Sequence, residues 1–296
     1  MTNNAGQTPL HILAYTSIAL FAFAGNSVLC RLALGQNTID PSSFTLIRLL
    51  SGSATLILIL YAVNVKEFRK SSGGSWFSAF MLFLYAITFS FAYISLDTGT
   101  GALILFGSVQ LSMLVIGALT GNTLRLADYL GIIVAFSGFL VLVLPGSTTP
   151  SLIGLLLMTT GGVAWGIYTL RGRGSKSPLS DTTFNFIRTL PLLILLFIPL
   201  SFNFNVSLSG FLYAVLSGAL ASGVGYAIWY RALTKLSVTQ AAVVQLLVPL
   251  IAALGGVIFA NEVISLRLVL SSALVLGGIL IVVLGKHYFE QRSPQN

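Results

Sequence analysis

Charge is what this chain has least of. Asp, Glu, Lys and Arg make up 7% of its 296 residues, against about 25% in a soluble domain. A water-facing surface cannot be covered from so small a pool, so an ordinary soluble globule is excluded. Acids are the scarcest: Asp40, Glu67, Asp97, Asp128, Asp181, Glu262 and Glu290 all fall in or near connections between apolar runs. Cysteine occurs once, as Cys30, and histidine twice, as His11 and His287 at the ends of such runs. One cysteine rules out an internal disulfide, and without a His/Cys/Asp/Glu cluster no metal or other cofactor is expected. No glycine-rich phosphate loop precedes a lysine, which argues against nucleotide chemistry and against a membrane enzyme. The first apolar run is too long for a secretory leader and has no basic segment before it, so no cleaved signal peptide is expected.

Apolar residues are abundant, at 56%. They fall into ten runs near the length of about 20 residues that a spanning helix needs: 10–31, 42–62, 75–95, 98–118, 126–144, 151–170, 183–201, 209–230, 238–259 and 265–285. Barrel strands would alternate over about ten residues, and stretches such as LLILLFIPL do not. The expected fold class is an all-α integral membrane protein with ten transmembrane helices.

The net charge of +8 would suit nucleic acid or an anionic surface, but its placement reads as topology. Lys66, Arg69, Lys70, Arg125, Arg171, Arg173, Lys176, Arg231, Lys235, Lys286 and Arg292 follow the even-numbered runs, whereas the other connections hold only Arg31 and Arg267. Basic loops stay cytoplasmic, so both termini are expected inside, and no nucleic-acid partner is expected.

Two arginines remain, each inside an apolar run and in nearly the same words: FTLIRLL around Arg48 and FNFIRTL around Arg188, 140 positions apart. The same interval relates Arg31 to Arg171, Phe44 to Phe184, Asn122 to Glu262, Leu126 to Leu266, Gly138 to Gly278 and Leu140 to Leu280. The chain therefore reads as two halves, 1–145 and 150–290, joined by PGSTTPS. Five spans per half is an odd number, so the second half must enter the membrane from the opposite side. That is an inverted repeat, an architecture of secondary transporters. A duplicated arginine reads first as a brace needed by each half, because a single asymmetric substrate needs only one carboxylate clamp. A charge at mid-membrane costs several kcal/mol on insertion scales, so either role requires partners.

The two arginine motifs, together with YRALTKLSVTQAAVVQLLVPLIAALGGVIFANEVISLRLVLSSALVLGGILIVV in the second half, resemble the drug/metabolite transporter superfamily, specifically its two-domain EamA-type carriers. The resemblance covers nearly the whole chain and is closest to the bacterial aromatic amino-acid exporters, which are also linked to methyl viologen resistance. It implies a bacterial inner-membrane carrier for a small molecule, in contact with lipid and working as a monomer. Asn122, where the second half has Glu262, departs from the repeat.

A substrate site in an inverted repeat lies near mid-membrane between the halves. Aromatics at helical spacing are the candidates: Tyr85, Phe89 and Tyr93 in the third run, Trp165 and Tyr168 in the sixth, Tyr226 and Trp229 in the eighth. Spacings of three or four place each set on one helix face, although Tyr and Trp near helix ends also form interfacial belts. Buried amides join them: Asn26, Gln110 and Gln245, as helix glue or substrate contacts. Small residues four apart, such as Gly162 and Gly166 or Gly218 and Ser222, read as close helix packing. Hinge candidates are Pro249, which removes a helical hydrogen bond, Gly255 and Gly256 after it, and Gly99 and Gly101 in the turn DTGTG. Aromatic lining without charge suits aromatic or other apolar amino acids. A lipophilic or cationic drug is the alternative substrate, and a passive channel the alternative class.

Overall fold

The computed structural model describes residues 9–70, 73–121, 126–144, 149–173, 175–197, 205–233, 235–236 and 238–292. Among them the chain is helical, apart from one antiparallel bridge between Ile39 and Val206. The helices are α1 Pro9–Gly35, α2 Pro41–Val63, α3 Val65–Lys70, α4 Trp76–Ala92, α5 Thr98–Leu119, α6 Leu126–Val143, α7 Leu152–Gly172, α8 Pro178–Phe197, α9 Leu208–Leu216, α10 Gly225–Leu233, α11 Val238–Gln245, α12 Leu247–Ala260 and α13 Leu266–Arg292. A π-helical stretch, Ser217–Val224, joins α9 to α10.

Eight segments of the described residues are long and apolar enough to cross a membrane: His11–Gly35, Pro41–Val63, Thr98–Leu119, Leu126–Val143, Leu152–Gly172, Leu208–Leu233, Gln240–Ala260 and Leu266–Gly285. Two expected runs are less plainly spans. α4 is apolar but has only 17 residues. α8 has 20, but opens on Ser180, Asp181, Thr182 and Thr183 and carries Arg188. The protein is a multi-pass, all-helical membrane protein. Large apolar side chains such as Phe21, Leu58, Phe136, Ile194, Leu254 and Phe259 are exposed on its outside, a surface that suits hydrocarbon rather than water.

Polar caps start the helices. Asp40 accepts from Ser43 N at 2.9 Å ahead of Pro41, and Ser75, Ser151 and Ser207 cap α4, α7 and α9 at 3.1, 3.0 and 3.1 Å. Each such cap contributes about 1 kcal/mol by satisfying an otherwise orphaned N–H. Asp97 precedes α5 but its side chain makes no cap bond. The carboxylate of Glu262, from the other half of the chain, accepts from Thr98 N instead, at 3.1 and 2.9 Å. Asn261 ends α12 in the left-handed region at φ 54°, which turns Glu262 back toward α5.

Proline and small residues explain the irregularities. The break between α11 and α12 falls at Leu246, just before Pro249, whose missing N–H would have bonded the carbonyl of Gln245. Pro191 lies inside α8. The π turn passes α2 so closely that a Cβ at Gly218 would run into the carbonyl of Arg48. Gly99 and Gly101 are helical, in the first turn of α5, rather than in an open turn. A Cβ at Gly99 would meet Ala253 at 2.7 Å, and one at Gly101 the ring of Tyr93 at 2.5 Å. Gly255 packs on Val28 in the same way, and Gly256 faces Glu262 and Thr98.

Nearly all the heavily packed helix pairs join one half to the other: α6 with α13, α4 and α5 with α7, α1 with α10 and α12, α2 with α8 and the π turn, and α5 with α12. In the α6–α13 pair, a Cβ at Gly278 would lie 2.5 Å from Ala135 N, and one at Gly138 2.7 Å from Val275. The repeated glycines are therefore the contact itself. Gly162 likewise presses on Ser108 and Leu105 of α5. Asn122 and Arg125 lie outside the described residues, as does most of the joining segment.

Candidate functional site

A cavity of about 760 Å³ lies between the halves, within the roughly 300–1,000 Å³ of small-molecule sites. Its walls come from the middle of α1 and of α5, α4 as far as Phe89, the start of α8, the π turn, the end of α7, α10 and α11. It reaches the exposed Arg171, Gly172 and Arg173 at the end of α7. The opposite end of the bundle contributes no lining.

Aromatic rings form one unbroken chain through this space. Trp165 stacks with both Tyr168 and Tyr226, with centroids 5.2 Å from each and planes 24° and 26° apart. It also meets Tyr85 at 4.8 Å. Tyr85 continues to Phe89 at 5.3 Å, and Tyr226 continues through Phe23, at 5.7 Å, to Trp229, at 5.8 Å from Phe23. Three helices that are remote in sequence thus bring their aromatic faces together. Phe23 on α1, which has no spaced aromatic partner in its own helix to signal it, completes the set.

Of the residues proposed from sequence, Asn26, Tyr85, Phe89, Gln110, Trp165, Tyr168, Tyr226, Trp229 and Gln245 line the cavity. Tyr93 does not. It is fully buried below the cavity, donates to Thr98 O at 3.3 Å and packs edge-on against Phe89 at 4.8 Å. Asn26 accepts from Ser217 at 2.6 Å and donates to Tyr85 Oη at 3.4 Å, so it ties α1 to both other elements while facing the cavity. Gln245 donates to its own helix at Ala241 O, at 3.1 Å.

The two arginines stand in different places. Arg48 is 2% exposed and lies outside the lining, directly behind it. Its Nη2 donates to Tyr85 Oη at 3.1 Å, and its guanidinium carbon lies 4.9 Å from the Phe89 centroid. Arg188 is half-buried and donates to the carbonyl of Gly73 at 2.5 Å, beside the entrance rather than beneath the site.

Residues 152–284 match the EamA-like transporter family. An uncharacterized protein of Pseudomonas aeruginosa is 46% identical over 271 residues, covering 92% of this chain and 94% of its own length. The chain belongs to the EamA-like transporter family. An uncharacterized transporter of Archaeoglobus fulgidus is 24% identical over 92% of this chain and 96% of its own length. A solved crystal structure at 21% identity superposes with a TM-score of 0.65 over 93% of this chain and 99% of its own, a likeness of fold alone. Membership makes the protein a membrane transporter and implies a non-enzyme. None of these relatives carries the name of an aromatic amino-acid exporter.

Within this EamA-like chain, the two ends of the bundle are built differently. At the entrance, α8 holds the segment before α4: Asp181 accepts from Gly74 N and Asn185 from Ser75 N, both at 2.8 Å. Gly74 adopts φ +70° there, a left-handed conformation that favours glycine. Thr182 donates to Tyr230 Oη at 2.9 Å. Asn185, Thr182 and Tyr230 all line the cavity and are absent from the sequence-derived set. Tyr230 follows Tyr226 by one helical turn and Asn185 sits within the repeated arginine motif, so both carried a readable signal. At the far end, Arg31 donates to Glu262 at 2.9 Å and to Asp97 at 3.2 Å, joining α1, the start of α5 and the connection after α12. Backbone pairing seals the same end: Asp40 N donates to Asn205 O and Ser207 N to Thr38 O, both at 2.9 Å.

Proposed function

We propose that this protein is a secondary transporter that exports aromatic or other apolar amino acids by alternating access around the central cavity. The observation that carries the reading is the aromatic chain itself: stacked and edge-on rings from both halves, lining a cavity that reaches one face only. Flat apolar side chains gain from such contacts beyond simple burial, by about 0.5–1.5 kcal/mol per ring pair. Among the described residues the cavity lining includes no lysine, and its charged members, Arg171, Arg173 and Asp181, stand toward the entrance. Sugar phosphates would require paired cations deeper in.

The architecture proposed with it is ten spans in two inverted five-helix repeats, 1–145 and 150–290. The packing supports this through its own symmetry. If α7, α8, α9–α10, α11–α12 and α13 repeat α1, α2, α4, α5 and α6, then α4 on α7 repeats α1 on α10, and α5 on α7 repeats α1 on α12. The entrance contact of α8 with residues 73–75 likewise repeats the far-end contact of residues 38–40 with residues 205–207. The entrance lies on the face rich in Lys and Arg. By the positive-inside tendency that face is cytoplasmic, the termini are inside, and this is the inward-open conformation of a monomeric carrier in a bacterial inner membrane.

Competition in proteoliposomes tests the substrate. Phenylalanine is expected to compete best among phenylalanine, threonine, glutamate and a quaternary amine. Equal competition by all four would refute the aromatic reading. Saturation and counterflow separate a carrier from a channel, which shows neither.

A further inference from the structure

A tyrosine hydroxyl has one proton to donate and lone pairs with which to accept. At Tyr85 both polar neighbours are donors. Arg48 Nη2 lies 3.1 Å from the hydroxyl oxygen, and a guanidinium has no acceptor. Asn26 Nδ2 lies 3.4 Å away, and Asn26 Oδ1 accepts from Ser217 at 2.6 Å. The proton of Tyr85 is left without an acceptor among the described residues, while the residue lines the cavity.

Arg48 adds charge to this donor. Among the described residues both ion pairs belong to Arg31, and no carboxylate stands within salt-bridge reach of Arg48. Its Nη1 is buried without a partner. Among the described residues, the faces of Tyr85 and Phe89, 5.3 and 4.9 Å from its guanidinium carbon, offset its charge. A buried, unpaired cation is costly, and a negative charge brought near it recovers part of that cost. A hydroxyl that already accepts from a cation is also a stronger donor, because bonded chains polarise one another.

We propose that Tyr85 determines specificity by donating to an anionic oxygen of the substrate, a carboxylate, with Arg48 as the positioning residue behind it. This rests on the reading of the cavity as an amino-acid site and orients the substrate within it. The carboxylate sits at the floor against Tyr85, and the apolar side chain lies along Trp165 and Tyr226. The same floor repels a ligand whose only charge is positive, which separates amino acids from cationic drugs although both suit an aromatic cage.

The test uses purified full-length protein and matched ligands with and without the carboxylate: phenylalanine against phenethylamine, and 3-phenylpropionate against 3-phenylpropanol. In the unmodified protein the carboxylate member of each pair is expected to bind at least about tenfold more tightly, the range of a hydrogen bond to a charged group. In Tyr85→Phe, which keeps the ring, the ratio is expected to fall to within about twofold, chiefly through weaker carboxylate binding. Arg48→Met is expected to lower the ratio similarly and Arg48→Lys to retain part of it, which a purely structural arginine would not do. A full ratio in Tyr85→Phe overturns the proposal. So does an absent ratio in the unmodified protein, a measurement that needs no variant to fold. Failure of the unmodified protein to bind any of the four ligands overturns the amino-acid reading itself, and the proposal with it.

Discussion

Arg48 and Arg188 show how one motif, written twice, acquires two roles. The duplicated letters are equivalent, but their surroundings are not: one guanidinium lies over two aromatic rings at the cavity floor, and the other bonds a single carbonyl at the entrance. Lysine can donate to a carbonyl but cannot stack as a planar fork. Arg188→Lys is therefore expected to cost less than about 1 kcal/mol, the net worth of an ordinary hydrogen bond. Arg48→Lys is expected to cost about 2 kcal/mol, the scale of a desolvated cation–π contact. Thermal unfolding in detergent checks the difference, and equal shifts would show that the two arginines are equivalent braces. Gly218 gives a second prediction at this scale. Valine there must push α2 away from the π turn, and overpacking of this kind costs typically 1–3 kcal/mol. Gly218→Val is expected to lower the unfolding temperature, whereas Gly277→Ala, where an added Cβ meets nothing within 4 Å, is expected to leave it unchanged. The sequence reading found nine of the cavity-lining residues because aromatic spacing and isolated amides are visible in one dimension. It assigned Tyr93 to the same face, and the ring does pack edge-on against Phe89, but one turn further along it is fully buried and donates to Thr98 O instead of lining the cavity.

The elements at the far end are joined by two ion pairs and a helix cap. The Arg31–Asp97 pair is weak, since the Asp97 side chain is 60% exposed and exposed pairs contribute about 0–1 kcal/mol. The Arg31–Glu262 pair is better shielded, with side chains 21% and 12% exposed, and Glu262 also caps α5. On the proposed alternating access, opening this end breaks both. Glu262→Gln is therefore expected to shift the population toward the far-side-open state by about tenfold, which corresponds to 1.4 kcal/mol. Asp97→Asn is expected to shift it little. The readout is labelling of Asn26→Cys in a Cys30→Ala background by an impermeant thiol reagent applied to the far face. Labelling unchanged by Glu262→Gln would remove the Arg31–Glu262 pair from the mechanism. Glu262 was legible as an acid following a proline-broken helix, but its cap on α5 and its bond to Arg31 join positions 164 and 231 residues apart. No local pattern reports such pairs.

For the whole molecule, the two faces give a direct test of topology. Lys176 is exposed at the entrance end and Val263 is 88% exposed at the other. Cysteines at these positions, each in the Cys30→Ala background, are expected to label from opposite sides of the membrane, with position 176 cytoplasmic. Labelling from one side would remove the two-faced arrangement. Energy coupling belongs at the same scale. A proton-driven carrier needs a carboxylate or imidazole that titrates within the membrane. Among the described residues, Asp181 lines the cavity at its entrance end, where it accepts from Gly74 N, Asp128 lies in the first turn of α6, and Asp97 and Glu262 lie at the far end. Transport down the substrate's own gradient, or exchange, is expected. In liposomes with an imposed pH difference and no substrate gradient there should be no net accumulation. Accumulation abolished by a protonophore would overturn this and direct attention to Asp97, Asp128 and Glu262, and to Asp181 in the cavity lining.

Composition alone determined that this chain lives in a membrane, because 7% charge cannot cover a surface in water. Hydrophobic run length placed the eight described segments long and apolar enough to span, and spacing marked the aromatic faces, because both are local properties of a helix. The contacts between the faces are a different matter. That Trp165 stacks with both Tyr168 and Tyr226, that Arg48 reaches Tyr85 with no counter-ion among the described residues, and that Glu262 caps a helix of the other half were decided only by tertiary structure. Each depends on which glycines let two helices approach and on how the connections aim them, and those are relations between segments far apart in the chain.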